Sequence, residues 1–186
     1  MNKIRTISTI LVMLIMLTSC SKQEVPSEAI LEEGLKPTVI AQDGEYITPS
    51  GMKLEIEDNW EVQESGSYAF VVFTPTEEAF IMIMNPFDLI EQTLDASVAE
   101  WTADVISSGL GEAHEIGEST QITVNGRDVW TVEVVLYEEG LISKKLLFWV
   151  FQEGDLGYVC IFIAQPDHYD EYLPSAELVM KSLEIV

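Results

Sequence analysis

The chain has 186 residues, of which 32 are acidic and 9 basic, for a net charge of −23. That length allows one domain with a real core and little room for a second. The charge excludes an ordinary nucleic-acid binder, whose phosphate contacts need Lys and Arg. It also opposes adhesion of the body to anionic headgroups, and it suits a cationic partner, divalent ions or plain solubility.

The first element is a basic start, Met1-Asn2-Lys3-Ile4-Arg5, followed by the apolar run Ile10 to Leu17. The run is too short to span a bilayer, which takes ~20 apolar residues. A charged segment, an apolar segment and then small residues form the layout of a secretory signal peptide. Leu17-Thr18-Ser19-Cys20 then resembles the lipobox of bacterial lipoproteins. The resemblance implies that residues 1–19 are a signal peptide. It implies that the Cys20 thiol carries diacylglycerol and that Cys20 begins the mature chain. The rival readings of this segment are an uncleaved anchor and a buried N-terminal helix. Two or three acyl chains, palmitate-like in length, hold firmly at ~0.8 kcal/mol per buried CH₂. The expected location is therefore the extracytoplasmic face of a bacterial cell membrane or outer membrane. Without Lys3 and Arg5, seven basic residues face 32 acidic ones, a charge near −25.

Residues 20–45 read as an acidic, flexible tether with Pro26, Gly34, Pro37 and Gly44. Ser27 to Leu35 could form a short helix within it. Structure is expected from Tyr46 onward, giving a domain over residues 46–186. Met52 to Glu57 alternates apolar and polar residues, the pattern of a half-buried strand. Asp58-Asn59 turns the chain, and Trp60-Glu61-Val62 resumes the alternation. Ala69 to Phe73 and Ala79 to Met84 are apolar runs separated by Thr74-Pro75-Thr76-Glu77-Glu78, a predicted hairpin.

Leu94, Val98, Trp101 and Val105 share one face at helical spacing. Thr93 or Asp95 is the expected N-cap, and Gly109 or Gly111 the stop. Strands follow: Gln121 to Val124, then Asn125-Gly126, a strong hairpin signal, then Asp128 to Tyr137. On that strand Trp130, Val132, Val134 and Leu136 point one way. Glu138-Glu139-Gly140 and Glu153-Gly154-Asp155 turn the chain into Leu141–Gln152 and Tyr158–Ala164. Leu146 to Phe151 and Val159 to Ile163 are apolar on both faces, which places them centrally under two covers. The second cover is expected from Asp167 to Ser182, with Tyr169, Tyr172, Leu173, Ala176, Val179, Met180 and Leu183 at helical spacing. Pro174 is expected to divide that helix or to start its second piece. Leu183 to Val186 reads as a short edge strand.

This order, with Gly51 to Trp60 near its start and Tyr169, Tyr172, Pro174 and Met180-Lys181-Ser182-Leu183 at its end, resembles the PsbP-like, or DcrB-like, domains. The family's Pro-x-Gly-Trp turn reads Glu57-Asp58-Asn59-Trp60 here. The resemblance implies an α+β fold, an α/β/α sandwich around a mostly antiparallel sheet. It also implies binding or assembly roles rather than catalysis.

Chemistry-bearing residues are few. The chain has two cysteines, Cys20 and Cys160, and a lipidated Cys20 leaves no disulfide. Cys160, within an apolar run, reads as a buried hydrophobe. His168 stands with Asp167 and Glu171, a grouping that could hold a transition ion or be an acidic helix start. His114 reads the same way, more weakly. Metal-ligand spacing for a structural zinc site is lacking, as are a nucleophile elbow and a phosphate loop. No resident metal or cofactor is therefore expected. Acidic pairs recur at turns: Glu57-Asp58, Glu77-Glu78, Glu138-Glu139, and Glu153 with Asp155. Gathered at one end of the sheet they would form a rim suited to calcium, although the EF-hand pattern is absent; otherwise they are solvated hairpin tips. Trp101 and Trp149 are expected in the core. Trp60, beside a turn, is the expected exposed aromatic, suited to a cationic ligand. The expected function is a non-catalytic binding or scaffolding lipoprotein of the envelope. A carboxylate- or metal-dependent hydrolase and a cation- or solute-binding lipoprotein are the alternatives. The partner is an unidentified envelope protein or cationic ligand.

Overall fold

A computed structural model describes residues 36–37, 45–47, 52–56, 60–64, 70–74, 76, 78–89, 93–111 and 113–185. The signal peptide, Cys20, the short helix over Ser27–Leu35 and the Asp58-Asn59 turn lie outside the described residues.

The strands are β1 (Lys36–Pro37), β2 (Glu45–Ile47), β3 (Met52–Glu55), β4 (Glu61–Glu64), β5 (Phe70–Phe73), β6 (Ala79–Ile83) and β7 (Phe87–Asp88). After helix α1 (Ala96–Gly109) come β8 (Ala113–Ile116), β9 (Thr120–Val124), β10 (Arg127–Glu138), β11 (Leu141–Glu153) and β12 (Leu156–Ala164). Helix α2 (Tyr169–Ser182) and β13 (Glu184–Ile185) complete the chain. The main sheet runs β1-β4-β5-β6-β12-β11-β10-β8, with β7 also on β12 and β9 also on β10. Its pairings are antiparallel. A second sheet runs β13-β3-β2.

Strands β11 and β12 lie centrally, as their two-sided apolarity predicts. One face of the sheet packs with α1 around Val132, Val134, Leu136, Phe148 and Ile161. The other packs with α2 and the small sheet around Leu54, Trp60, Trp149, Phe162 and Ala176. The result is the α/β/α sandwich. The predicted β5–β6 hairpin forms. Asn125 and Gly126 both take positive φ, 53° and 75°, the conformation a two-residue hairpin turn needs.

Four local readings change. First, β1 falls within the stretch read as tether. It pairs Lys36 with Glu64 and Pro37 with Gln63 at the sheet's edge, where a proline is tolerated. Two residues are too few to show periodicity.

Second, α1 turns a different face inward. Its buried residues are Ala99, Thr102, Ala103 and Ser107. Leu94, Val98 and Val105 are half-buried, and Trp101 is exposed. Small residues let the helix backbone approach large side chains such as Phe148, and the bulkier stripe is displaced to the flank.

Third, β8 was not expected, because a polar edge strand with His114 and Glu115 carries no apolar alternation. Strand β10 pairs with β9 along its first half and with β8 along its second. The break lies at Gly117, whose N–H donates to the Glu133 carbonyl at 2.8 Å.

Fourth, Pro174 sits inside a continuous α2. Its missing N–H removes one bond, but Tyr169, Ala176, Val179 and Met180 on one buried face hold the helix to the sheet.

Asp95, not Thr93, caps α1. Its Oδ1 accepts from Ser97 Oγ at 2.7 Å and from Val98 N at 3.0 Å. The Ser97 hydroxyl, then the Val98 N–H, hold the carboxyl below its ordinary value of 3.8. A depressed folded-state pKa stabilises above the unfolded value and is lost as pH falls through the folded one. Asp95→Ala should therefore cost about 0.5–1 kcal/mol at neutral pH, the low end for an exposed cap. The gap to wild type should close as pH drops below the ordinary value. Thermal melts at neutral and acid pH check this, and a gap that widens in acid contradicts it.

Candidate functional site

Of the residues that the sequence marks, His168 and Glu171 form a clasp at the start of α2 and Trp60 lies in the core beneath it. His168 precedes α2. Its Nδ1 lies 3.1 Å from Glu171 Oε2, and its Nε2 lies 3.3 Å from Glu78 Oε1, just before β6. Asp167 is exposed in the turn before the helix and stands outside this clasp. The two ring nitrogens face different carboxylates, so a single cation could bind only one of them. Among the described residues, no three His, Cys, Asp or Glu side chains converge as metal ligands. The clasp ties α2 to the β5–β6 turn, an attachment repeated by Thr76 Oγ1 and Tyr172 OH at 3.1 Å.

Trp60 lies beneath. It is only 7% exposed, and its ring meets Tyr172 edge-on, centroids 6.4 Å apart. The expectation of an exposed Trp60 is thus overturned. A tryptophan just after a turn still faces the core when its strand alternates inward, as Trp60 and Val62 do. His114 is another inter-element tie, with Nε2 3.0 Å from Asp104 on α1. Nearby, Glu100 accepts from Ser119 Oγ at 2.7 Å and Ser119 N at 3.1 Å, and these two donors hold its carboxyl below the usual range.

Cys160 is fully buried on β12 and paired opposite Trp149. Burial pushes its thiol far above the usual range, against a smaller opposing effect of Arg127. A reactive thiolate needs the reverse.

The acidic turns do not gather into one rim. Glu153 and Asp155 lie at the β11–β12 turn, at the end of the sheet where β10 begins, since Val129 pairs with Phe151. Glu138 and Glu139 lie at the opposite end. Glu78 also lies there, because Ala79 pairs with Ala164 and Ala164 with Lys145. Glu57, Asp58 and Glu77 fall outside the described residues.

Two clefts that no sequence pattern marks meet at the β9–β10 hairpin. A cleft of about 680 Å³ on the α1 side is lined by Leu94, Gln121, Asp128, Trp130 and Gln152, among others. A second, about 650 Å³, lies between the hairpin and the α2–β13 corner, with Glu55, Leu178, Lys181 and Glu184 in its wall. Arg127 borders both. It is the only arginine after residue 5. Its Nε donates to Glu153 Oε2 at 3.0 Å, and its guanidinium lies 4.9 Å from the Phe151 ring centroid. Gln152 fixes the first cleft's floor: its Oε1 accepts from Leu94 N at 3.1 Å, and its Nε2 donates to the Gly154 carbonyl at 2.8 Å. The Asn125 amide donates to the Lys181 carbonyl and so ties the hairpin to α2. The sequence signal for this region is an Asn-Gly turn followed at once by the lone arginine.

These features define an α/β/α sandwich with open, polar clefts at one end of its sheet. No known protein family matches the sequence, and no curated protein does. Solved structures share the fold. Cyanobacterial PsbP (CyanoP) from Synechocystis aligns over 90% of this chain and 98% of its own, with a TM-score of 0.63 and 12% identity. LpqN of Mycobacterium tuberculosis, described as involved in cell envelope biogenesis, aligns over 89% and 99%, with a TM-score of 0.53 and 12% identity. A protein of Bacteroides thetaiotaomicron aligns over 78% of this chain, which spans only 49% of that longer one, with a TM-score of 0.53 and 16% identity. At such identities the likeness establishes the PsbP-like fold alone.

Proposed function

We propose that this chain is a lipid-anchored, extracytoplasmic module of the bacterial envelope that binds or scaffolds a partner and performs no catalysis. The lipobox-like Leu17-Thr18-Ser19-Cys20 after a short apolar run carries this reading. Among the described residues no helix is long and apolar enough to cross a membrane. The proposed attachment is the acylated Cys20. The fold is shared with LpqN, described as involved in cell envelope biogenesis, which supports the compartment. The side chains best suited to chemistry hold the fold: Cys160 is sealed in the sheet, and His168 is engaged on both ring nitrogens.

The test is fractionation of cells expressing the wild-type chain or Cys20→Ser. Wild type should sediment with membranes and the variant should not become lipidated. A Cys20→Ser protein that stays as firmly with membranes as wild type, in high salt, removes the lipid anchor.

A further inference from the structure

The main sheet ends in edges of unequal protection. Strand β1 carries Pro37, and β8 carries His114 and Glu115, devices that discourage further pairing. Strand β9 reads Thr120-Gln121-Ile122-Thr123-Val124, without charge or proline, in a chain of net charge −23. Its first four residues are exposed, Ile122 among them. Among the described residues it pairs only with β10. Val124 and Arg127 flank the two-residue turn and exchange backbone bonds. Alternation from there leaves the N–H and C=O of Gln121 and Thr123 pointing away from β10.

Gln121 lies opposite Trp130, and Thr123 opposite Asp128, so these four side chains share the sheet face of the 680 Å³ cleft. An added strand would send alternate side chains toward that cleft. Trp130, half-buried there, offers a ring face, and exposed Asp128 a carboxylate. Exposed Glu118 stands just before the strand. A lysine or arginine reaching across Thr123 would meet both the ring and the negative charge.

We propose that β9 is a strand-addition site for an extended, cationic segment of a partner protein. Backbone pairing occurs at Gln121 and Thr123, and a basic side chain is received beside Trp130 and Asp128. This rests on the reading of the domain as a binding module and names the chemistry of its partner. A second copy of the chain is the weaker occupant, because it brings two strongly acidic bodies together.

The test uses the mature lipidated chain in zwitterionic vesicles and short peptides alternating lysine with valine or glutamate with valine. Amide hydrogen exchange should show the Lys–Val peptide protecting Gln121 and Thr123, and the Glu–Val peptide should not. Thr123→Pro should abolish binding while leaving the melting temperature near wild type, since its N–H faces away from β10. Trp130→Leu should weaken binding about tenfold. If Thr123→Pro fails to fold, a Lys–Val peptide N-methylated along one edge should still fail to bind the unchanged protein. Equal binding of both peptides, or full binding of the N-methylated one, overturns the proposal. So does concentration-dependent protection of the two amides without peptide, which would give the edge to a second copy. Failure of the anchor is read separately, in the fractionation of Cys20→Ser.

Discussion

Trp60→Ala should destabilise the domain severely, and Trp101→Ala should leave it almost unchanged. Removing a buried tryptophan costs about 3–5 kcal/mol through lost transfer energy and the cavity left behind. Trp60 belongs to the core between the sheet and α2 and makes an edge-on contact with Tyr172. That contact adds roughly 0.5–1.5 kcal/mol beyond burial. Its loss would also slacken the attachment of α2, because Tyr172 reaches Thr76 and lies 6.3 Å from the His168 ring. For a domain of this size about 2–4 °C accompanies each kcal/mol, so the melt should fall by about 10 °C. Trp101 is 38% exposed on the flank of α1, where substitutions stay within about 0.5 kcal/mol. Thermal and urea unfolding of both variants decide the matter. A larger loss for Trp101→Ala than for Trp60→Ala would mean that α1 packs through its bulky stripe.

The two tryptophans show what was legible in the sequence. The longer strands, the hairpins and the two-sided burial of β11 and β12 follow from local patterns, because alternation and Asn-Gly turns act within a few residues; the short edge strands β1 and β8 carry no such pattern. The face of α1 did not follow. Leu94, Val98, Trp101 and Val105 form the stronger apolar stripe, yet the helix approaches the sheet through Ala99, Ala103 and Ser107. Closeness of approach is a property of the surface opposite, and that surface is assembled from β10, β11 and β12, far along the chain. The clefts are not legible in the sequence for a similar reason. Leu94, Gln121, Trp130 and Gln152 come from four segments and meet only through sheet register. His168 and Glu171 were legible as neighbours one helical turn apart, whereas Glu78, which completes the clasp, arrives from the β5–β6 turn.

Phe148→Ala should be the most damaging single truncation on the α1 side of the sheet. The side chain is fully buried on β11, and its backbone is flanked by Val132 on β10 and Ile161 on β12. The cost of such a change depends on whether the surroundings can collapse into the vacated space. Here the flanking strands are held at fixed spacing by ladders on both sides, and a sheet cannot close laterally over a missing side chain. The helix above presents Ala99 and Ala103 at its centre, neither able to reach down. The cavity should therefore persist and the loss should reach the upper part of the ~3–5 kcal/mol range. Phe148→Leu keeps most of the volume and should cost far less, under about 1.5 kcal/mol. Urea titration with an unchanged slope for both variants would attribute the difference to the native packing. A Phe148→Ala protein within 1 kcal/mol of wild type, by the same titration (~1 kcal/mol being the usual effect of an unremarkable substitution), would show that α1 settles onto the sheet, making the small-residue face of that helix a sliding contact.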